Sequence, residues 1–347
     1  MQLDPIFELP TPLVFAHREV GWMLRRATCS LGLVSALGFA CGGPPLPPRA
    51  EPTVPTVSPD GPIVVLGDTQ RTSWPERLVG REQNELARRE LIQKLADEER
   101  PAFVVHLGDM VEAGTEGNWE YFDHLVSPLT ARQIPIFPVL GNHDYGGDPE
   151  KALQLARQHF PQLGPTGWYA RRHRGLGLVW LDSNATGAAA HDQAVWFSQM
   201  LVAFEHDEAT RAVIVFTHHP PYTNGKHRCG DDYVREQLLP TFQRASKAVA
   251  LMSGHVHGYE RFQVNDKTFV VTGGGGGPRV SYHLARKDEP PPAYVTADGR
   301  PRAFNYVVMY RLEERLEFAV KCLALDAVCD GGVLERFSVS MPRAGGG

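Results

Sequence analysis

Five short apolar runs recur along the chain, and each one leads directly into a polar loop. The runs are Ile63–Leu66, Phe103–Leu107, Ile136–Leu140, Val213–Phe216 and Ala248–Met252. The loops that follow them are Gly67–Gln70, Gly108–Glu112, Gly141–Asp144, Thr217–Tyr222 and Ser253–Arg261. Continuous apolar runs of this length are typical of strands buried on both faces. The pattern therefore predicts five core strands with polar residues at their carboxyl ends.

Segments with helical spacing of apolar residues lie between some of these strands. The predicted stripes are Leu86, Leu91, Ile92 and Leu95 within residues 81–99, and Val195, Trp196, Met200, Leu201 and Phe204 within residues 191–206. Strands that alternate with helices indicate βαβ units and a layered α/β fold. Ligands in such folds gather at the carboxyl ends of the strands. We therefore expect the five polar loops to meet in one place.

The pattern changes to β character after His257. Paired strands are predicted at 261–264 and 268–272, and further strands at 304–312, 316–322 and 333–340. Gly273–Gly277 is not a phosphate-binding P-loop, because no Lys-Ser/Thr pair follows it. It is interpreted as a tight loop that passes close to the site.

Composition narrows the possible functions. The chain has 347 residues, of which 42% are hydrophobic, and a formal net charge of −5. No basic stripe with interleaved aromatic residues is present, so a nucleic-acid partner is not favoured. The five cysteines include no Cys-x-x-Cys pair, which argues against a structural zinc knuckle. Cys322 and Cys329 flank a predicted turn and would be able to pair in an exported protein, leaving Cys229 as an odd thiol.

The amino-terminal segment reads as an export signal rather than as part of the fold. Basic residues at 23–26 precede an apolar run at 27–40 and then Cys41. This order of segments resembles the export signal of a bacterial lipoprotein. The expected organisation is an export signal at 1–41 with a possible start at Met23, a proline-rich tether at 42–60, and one domain at 61–343. A disordered leader is the alternative. The signal predicts a periplasmic or cell-surface lipoprotein whose contact with a membrane is a lipid anchor at Cys41.

The polar loops offer a set of metal-binding side chains. His255 and His257 are spaced i and i+2 after a glycine, and extended backbone would direct both to the same side. A single histidine or a single aspartate after a strand is more often structural, but the loops together supply Asp68, Asp109, Asn142, His218, His255 and His257. Mixed carboxylate, amide and imidazole donors suit Fe, Mn, Zn or Co. Six ligands exceed the needs of one catalytic ion and suit two metal ions bridged by a carboxylate.

The chain resembles the calcineurin-like metallophosphoesterases in five ordered motifs: Gly67-Asp68, Gly108-Asp109, Gly141-Asn142-His143-Asp144, His218-His219-Pro220 and Gly254-His255-Val256-His257. The stretch 254–261 and the glycine-rich segment after it resemble the purple acid phosphatase branch most. The resemblance covers residues 62–340. It implies a four-layer αββα sandwich of two mixed β-sheets flanked by helices.

The resemblance also implies a role for each predicted site residue. Asp68 and His257 would bind the first metal ion, Asn142, His218 and His255 the second, and Asp109 would bridge the two. His143 would stabilise the phosphoryl transition state or protonate the leaving group. Asp144 would orient His143.

Two positions depart from the family patterns. Many members carry histidine where this chain has Gln70, and purple acid phosphatases carry tyrosine where it has Glu112. The colour that an iron-bound tyrosinate gives is therefore not expected. Gln70 is equally consistent with a weak oxygen ligand of the first metal ion and with a residue that does not bind it. Glu112 is less favoured than Gln70 as such a ligand. The first site would therefore bind its ion weakly, or the enzyme would use a single metal ion.

Several other polar residues lie in or near the loops that form the predicted site. Tyr222, Asn224 and His227 are equally consistent with pocket lining and with ordinary loop polarity. Asp182 is predicted to be structural. The segment 168–174 is predicted to form a strand edge and turn.

The expected activity is hydrolysis of small phosphate esters, with monoesters favoured, by a metal-bound hydroxide at a dinuclear centre. A phosphodiesterase or nucleotide hydrolase is the alternative among enzymes. The alternative from another class is a non-catalytic surface lipoprotein that binds phosphate or metal.

Overall fold

Two β-sheets provide the framework that positions the polar loops. This computed structural model describes residues 61–225, 230–279, 289–295, 303–323, 329 and 332–342. The predicted export signal and tether, and also His227 and Cys229, lie outside the described residues. None of the helices within the described ranges is long and apolar enough to cross a membrane.

The first sheet has six strands in the order β13-β12-β11-β1-β2-β3. The strands are β1 Ile63–Leu66, β2 Phe103–His106, β3 Ile136–Pro138, β11 Asn305–Arg311, β12 Arg315–Cys322 and β13 Val333–Ser340. Strands β1, β2 and β3 are parallel, with Ile63 beside Phe103 and Val104 beside Ile136. The carboxyl ends of these three strands therefore lie side by side.

The second sheet has seven strands in the order β10-β8-β9-β7-β6-β5-β4. The strands are β4 Tyr169–His173, β5 Leu176–Trp180, β6 Ala212–Thr217, β7 Ala248–Ser253, β8 Tyr259–Val264, β9 Lys267–Thr272 and β10 Pro292–Val295. Strands β5, β6 and β7 are parallel neighbours, so their carboxyl ends share one edge. Strand β4 lies at the edge of the sheet, as predicted for the segment that contains it.

Helices cover the outer faces of both sheets. They are α1 Trp74–Leu78, α2 Glu85–Lys94 with a π-helical turn to Glu99, α3 Glu116–Thr130, α4 Pro149–His159, α5 Gly187–His206, and α6 Leu239–Arg244 after a π-helical turn at Val234–Leu238. Phe122 of α3 contacts His106 on the first sheet, and Phe242 of α6 contacts Phe269 on the second. The predicted four-layer αββα arrangement of two mixed sheets is confirmed.

The two sheets share one hydrophobic core. Trp180 of β5 donates its indole N–H to the carbonyl of Phe137 on β3 at 3.1 Å, and the two rings lie 5.8 Å apart. The sheets are thus joined next to the ends of strands that lead into polar loops. This contact fixes the loops of one sheet relative to those of the other.

The carboxyl-terminal β pattern is confirmed with small shifts of its ends. Strands β8 and β9 form a hairpin whose turn residues Asn265 and Asp266 have φ of 49° and 60°. Both residues tolerate this left-handed conformation, which two-residue hairpin turns require. The sequence-predicted pairing of Cys322 and Cys329 is present as a disulfide.

Parts of both predicted helical stripes are wrong. Leu86 is 79% exposed and Val195 is 44% exposed, whereas Leu91 and Met200 are buried. Each exposed residue is five positions from the buried one, which is about 140° around an α-helix. The two members of each pair therefore cannot lie on one narrow face.

Candidate metal centre

The five polar loops converge, and main-chain hydrogen bonds tie them to one another. The N–H of Asp68 donates to Gly108 O at 3.0 Å, and that of Gln70 donates to Asp109 O at 3.0 Å. Across the second sheet, Gly254 N–H donates to His218 O at 3.0 Å. The loops after β1 and β2, and those after β6 and β7, are therefore held in fixed pairs.

Three of the predicted ligands adopt a left-handed backbone conformation. The φ angles are 62° at Asp68, 52° at Asp109 and 66° at His255. Side-chain-bearing residues rarely adopt this conformation, and such strain persists only where surrounding contacts hold it. It turns each side chain sharply away from the direction of its strand.

Glycines allow the loops to approach the buried carboxylates closely. A Cβ atom at Gly254 would lie 2.6 Å from Oδ2 of Asp68, and one at Gly273 would lie equally close to the same atom. The segment Gly273–Gly277 also donates from the Gly277 N–H to Asp68 O at 2.8 Å. The interpretation of this segment as a tight loop beside the site is confirmed.

Asp68, Asp109 and His257 form the first cluster of metal-binding side chains. Nε2 of His257 lies 3.3 Å from Oδ1 of Asp68. Oδ2 of Asp68 accepts the N–H of His255 at 2.9 Å. Oδ1 of Asp68 is buried and has no well-aligned hydrogen-bond donor among the described residues. A carboxylate oxygen in this state has a lone pair available for a cation.

The buried amide of Gln70 borders this first cluster. It lies 3.2 Å from Nε2 of His257 and 3.4 Å from Oδ2 of Asp109. With its oxygen turned towards His257, its NH₂ group also reaches the carbonyls of Asp68 and Asp109 at 3.3 and 3.0 Å. Gln70 is therefore brought to the first metal position, whereas Glu112 contributes a main-chain carbonyl to His143.

His218, His255 and Asn142 form the second half of the centre. Nε2 of His218 lies 3.1 Å from Nδ1 of His255, 3.3 Å from Oδ1 of Asn142 and 3.4 Å from Oδ2 of Asp109. His218 and His255 are buried, whereas Asn142 is exposed. Asp109 therefore lies between the two halves.

Main-chain carbonyls orient two of the imidazole rings. Nδ1 of His218 lies 2.7 Å from Leu107 O, and Nδ1 of His257 lies 2.7 Å from Pro278 O. A carbonyl only accepts, so each Nδ1 carries a proton and each Nε2 faces the carboxylates. Metal-binding histidines are commonly oriented by such a hydrogen bond from the second ring nitrogen.

The charged groups of the centre strongly perturb one another. Burial lowers the pKa of His218, but Asp109 and Asp68 outweigh this effect and raise its pKa to about 9. Burial raises the pKa of Asp109, but His218 and His143 outweigh it, so the net pKa is lowered. Burial also raises the pKa of Asp68, which His257 offsets only in part. Two buried carboxylates thus share one small space with two buried imidazoles.

This arrangement fits metal ions well. The donors are carboxylate, amide and imidazole atoms, the set that suits Fe, Mn, Zn or Co. Oδ1 of Asp68 has no well-aligned donor among the described residues, and Nε2 of His218 and of His257 faces the carboxylates, so each of these atoms is able to bind a cation. All six residues predicted as ligands are brought together here.

His143 also lies at the centre, but its predicted relation to Asp144 is wrong. Nδ1 of His143 lies 2.9 Å from Glu112 O, and its main-chain N–H donates to Oδ1 of Asp109 at 2.8 Å. Asp144 instead accepts main-chain N–H groups from Met110, Val111 and Gly141 at 2.8 to 3.1 Å. Its buried carboxylate therefore links the loops after β2 and β3 rather than the His143 ring. Burial, followed by the charge of Asp109, raises the pKa of Asp144 to about 7.

The residues considered for pocket lining have structural contacts. Tyr222 packs against Phe269 with ring centroids 5.1 Å apart. The main-chain N–H of Asn224 donates to Glu260 at 2.8 Å. Asp182 accepts from Tyr145 at 2.5 Å and from Asn184, so its structural interpretation is confirmed.

The sequence predicted only a structural aspartate in the loop after β5, yet this loop contacts a histidine beside the centre. Oγ of Ser183 lies 2.9 Å from Nδ1 of His219 and accepts the His219 main-chain N–H at 3.0 Å. The ring of His219 lies 4.3 Å from that of His255. The sequence signal for this contact was the pair His218-His219 after β6, of which only His218 was predicted to be a ligand.

Two mixed sheets with clustered carboxylates and imidazoles at their strand ends define a class of metal-binding α/β proteins, and comparison with known proteins identifies the family. The calcineurin-like phosphoesterase family model matches residues 61–259. The chain therefore belongs to the calcineurin-like phosphoesterase family. The predicted membership of this family is confirmed.

Similar proteins include plant phosphatases. The chain is 28% identical to purple acid phosphatase 22 of Arabidopsis thaliana over 204 residues, which are 53% of this chain and 46% of that protein. It is 26% identical to phosphoenolpyruvate phosphatase of Allium cepa over 190 residues, 51% of this chain and 37% of that protein. The chain thus spans less than half the length of either relative.

Solved structures share the fold at low sequence identity. Purple acid phosphatase PPD1 from yellow lupin (Lupinus luteus) aligns with a TM-score of 0.64 and 19% identity, covering 83% of this chain and 55% of that one. GAP50, the anchor in the inner membrane complex of Plasmodium, aligns with a TM-score of 0.62 and 16% identity, covering 82% of this chain and 90% of that one. A dimetal phosphatase from Danio rerio aligns with a TM-score of 0.55 and 15% identity, covering 82% of this chain and 100% of that one.

Proposed function

We propose that this protein hydrolyses small phosphate monoesters at a dinuclear metal centre. Asp68 and His257 would hold the first ion with help from the Gln70 amide, and Asn142, His218 and His255 would hold the second. The position of Asp109 carries this proposal. Its carboxylate belongs to the cluster with Asp68 and His257 on one side, and its Oδ2 lies 3.4 Å from His218 Nε2 on the other, as a bridging carboxylate would.

The chain would supply binding and proton transfer around these ions. Two bound cations would neutralise phosphate charge and lower the pKa of a coordinated water. His143 is held through Nδ1 by the Glu112 carbonyl, so its Nε2 remains for the substrate side. When protonated, Nε2 would donate to the phosphoryl group or to the leaving oxygen. The Asp109 contact to the His143 main chain fixes this ring relative to the bridging carboxylate.

The preference for monoesters draws on the similarity to purple acid phosphatases and to phosphoenolpyruvate phosphatase. The test is hydrolysis of an aryl phosphomonoester and of the matching diester by metal-stripped protein reloaded with Mn, Fe or Zn. We expect turnover of the monoester to exceed that of the diester. The reverse ranking would favour the phosphodiesterase or nucleotide hydrolase alternative.

A matched pair of variants tests the site. Asp109→Asn should remove most turnover and reduce metal content, because the bridging charge is lost. Asp123→Asn, which changes an exposed acid on α3, should leave both unchanged. Equal activity of Asp109→Asn and the parent would contradict the proposed centre.

A non-catalytic binder is the second candidate. Gln70 at the first metal position favours it, and the fold neighbour GAP50 is described as an anchor. Binding of metal and phosphate, together with no turnover after loading with Mn, with Fe or with Zn, would support this candidate over the enzyme.

We also propose that the protein is exported as a lipoprotein acylated at Cys41. The disulfide between Cys322 and Cys329 supports this, because such bonds persist mainly in oxidising compartments. Mass spectrometry of the mature amino terminus should find an acylated Cys41. A mature chain that begins at Met1 and carries no lipid would overturn the proposal.

A further inference from the structure

The imidazole of His219 has no role in the proposed metal centre, although it lies beside the second metal position. Its ring centroid is 4.3 Å from that of His255 and 4.8 Å from that of His218. Ligand atoms of these three histidines lie within 4.8 Å of one another. His218 and His255 are buried, whereas His219 is partly exposed. His219 therefore forms the more open side of this histidine cluster.

Ser183 holds the His219 ring in place. Its buried hydroxyl accepts the main-chain N–H of His219 at 3.0 Å and lies 2.9 Å from Nδ1 of the same residue. A hydroxyl group has one proton to donate and two lone pairs to accept with. If one lone pair takes the main-chain N–H, the hydroxyl proton is free to pair with Nδ1. The ring proton of neutral His219 is then on Nε2.

We propose that the Nε2–H group of His219 binds an oxygen of the phosphoryl group at the second metal position. This inference rests on the proposed function and adds a substrate-binding residue to it. A protonated ring nitrogen has no lone pair for a cation, but it donates well to an anion. His218 and His255 would hold the second cation. An anion drawn to that cation would come within reach of the partly exposed His219 ring.

The opposite tautomer gives His219 a different role. If Nδ1–H donates to Ser183, Nε2 keeps its lone pair and would be able to ligate the second ion. The two roles differ in one measurable respect. Loss of a phosphate donor weakens phosphate binding with the metal retained, whereas loss of a ligand reduces metal content itself.

Four variants separate these roles. His219→Phe keeps an aromatic ring and removes the donor, and His219→Gln keeps an N–H donor near the same position. Ser183→Ala removes the group that fixes the ring. His159→Phe is the control, because His159 stacks on Trp119 of α3 and takes no part in the centre.

The measurements are metal content after reloading, the dissociation constant for inorganic phosphate by calorimetry, and kcat and KM for an aryl phosphate. In His219→Phe we expect unchanged metal content and about tenfold weaker phosphate binding, as loss of a hydrogen bond to a charged group predicts. His219→Gln should recover most of this loss and Ser183→Ala should show part of it. His159→Phe should match the parent.

Two results would overturn the inference. One is loss of metal from His219→Phe, which would make the residue a ligand. The other is parental phosphate affinity in His219→Phe at full metal content. If the loaded parent binds phosphate through His219 but hydrolyses no ester, the proposed function fails and this inference stands. A parent that binds neither metal nor phosphate would overturn both.

Discussion

Gln70 is the residue at which the candidate centre differs most from its family. Its side chain is only 2% exposed, so it cannot turn away into solvent. Whichever way the amide is turned, it contacts both His257 and Asp109. An amide oxygen is a weaker donor than imidazole for Fe or Zn. The first metal position would therefore be the weaker half of the proposed pair.

Gln70→His should tighten metal binding at the first position. The new imidazole would replace a neutral oxygen donor beside Asp109 and His257, and we expect about tenfold greater resistance to a chelator, the lower end of the range seen when ligand shells are altered. Metal content after graded chelation measures this. Gln93→His on the exposed face of α2 is the control. Equal metal retention by parent and Gln70→His would mean that Gln70 does not weaken the site.

Gly254→Ala should damage the centre without any change of charge. The added Cβ would lie 2.6 Å from Oδ2 of Asp68 and 2.9 Å from Leu107 O, so a ligand or a loop must move. Displacement of a ligand by about 1 Å is enough to reduce turnover about a hundredfold. Turnover and metal content measure the effect.

Gly117→Ala is the matched control for this prediction. A Cβ atom at Gly117, in the first turn of α3, would contact nothing within 4 Å among the described residues. Alanine there should raise the free energy of unfolding by about 0.5 kcal/mol, because glycine loses more backbone freedom in a helix. Similar metal loss in both variants would point to a general effect of the added methyl group rather than to crowding of Asp68.

The candidate ligands were predictable from sequence because each lies in a polar loop directly after a buried strand, with His255 and His257 in the same loop. Contacts such as Asp144 to the loop after β2, or Ser183 to His219, join positions more than 30 residues apart. Their partners are chosen by how the two sheets pack, and no local pattern records that choice. The assigned role of Asp144 failed for this reason, although its place in the motif was identified.

Among the elements, α2 does more than cover the first sheet. Arg88 on its buried face donates to Gln70 O at 3.2 Å and to Gly276 O at 2.9 Å. It also reaches Tyr121 of α3 at 3.2 Å. One guanidinium group thus connects two helices with the loop after β1 and the glycine-rich loop. The apolar pattern of α2 predicted its helix but not this polar role.

Arg88→Met should destabilise the protein and loosen the first metal position together. Two buried carbonyls would lose their donor, at about 1–3 kcal/mol each. Chemical denaturation and metal content measure the two effects. Arg89→Met is the control, because Arg89 is exposed and pairs only with Glu85 among the described residues, and such pairs contribute about 0.5 kcal/mol. Equal effects of the two substitutions would contradict the role of Arg88.

On the scale of the whole molecule, the site belongs to neither sheet alone. Asp68, Asp109 and Asn142 follow strands of the first sheet, and the histidine ligands follow strands of the second. Parallel strand order and apolar runs predicted this convergence. The helices α1, α3, α4 and α6 were not predicted, and the boundaries of α2 and α5 shifted. The packing of the two sheets decides where helices form and where they end, since it determines which helical residues become buried.

Removal of metal should therefore loosen the contact between the sheets and lower thermal stability. Without cations, the buried carboxylates of Asp68 and Asp109 repel each other, and burial disfavours the charge on each. One ion at a hundred times its dissociation constant adds about 2.7 kcal/mol of stability, or roughly 5 °C in Tm for a domain of this size. Scanning calorimetry with and without chelator measures the shift. Asp109→Asn should show a much smaller shift because its bridging charge is gone. An unchanged Tm of the fully loaded parent after chelation would mean that the ions do not hold the sheets together.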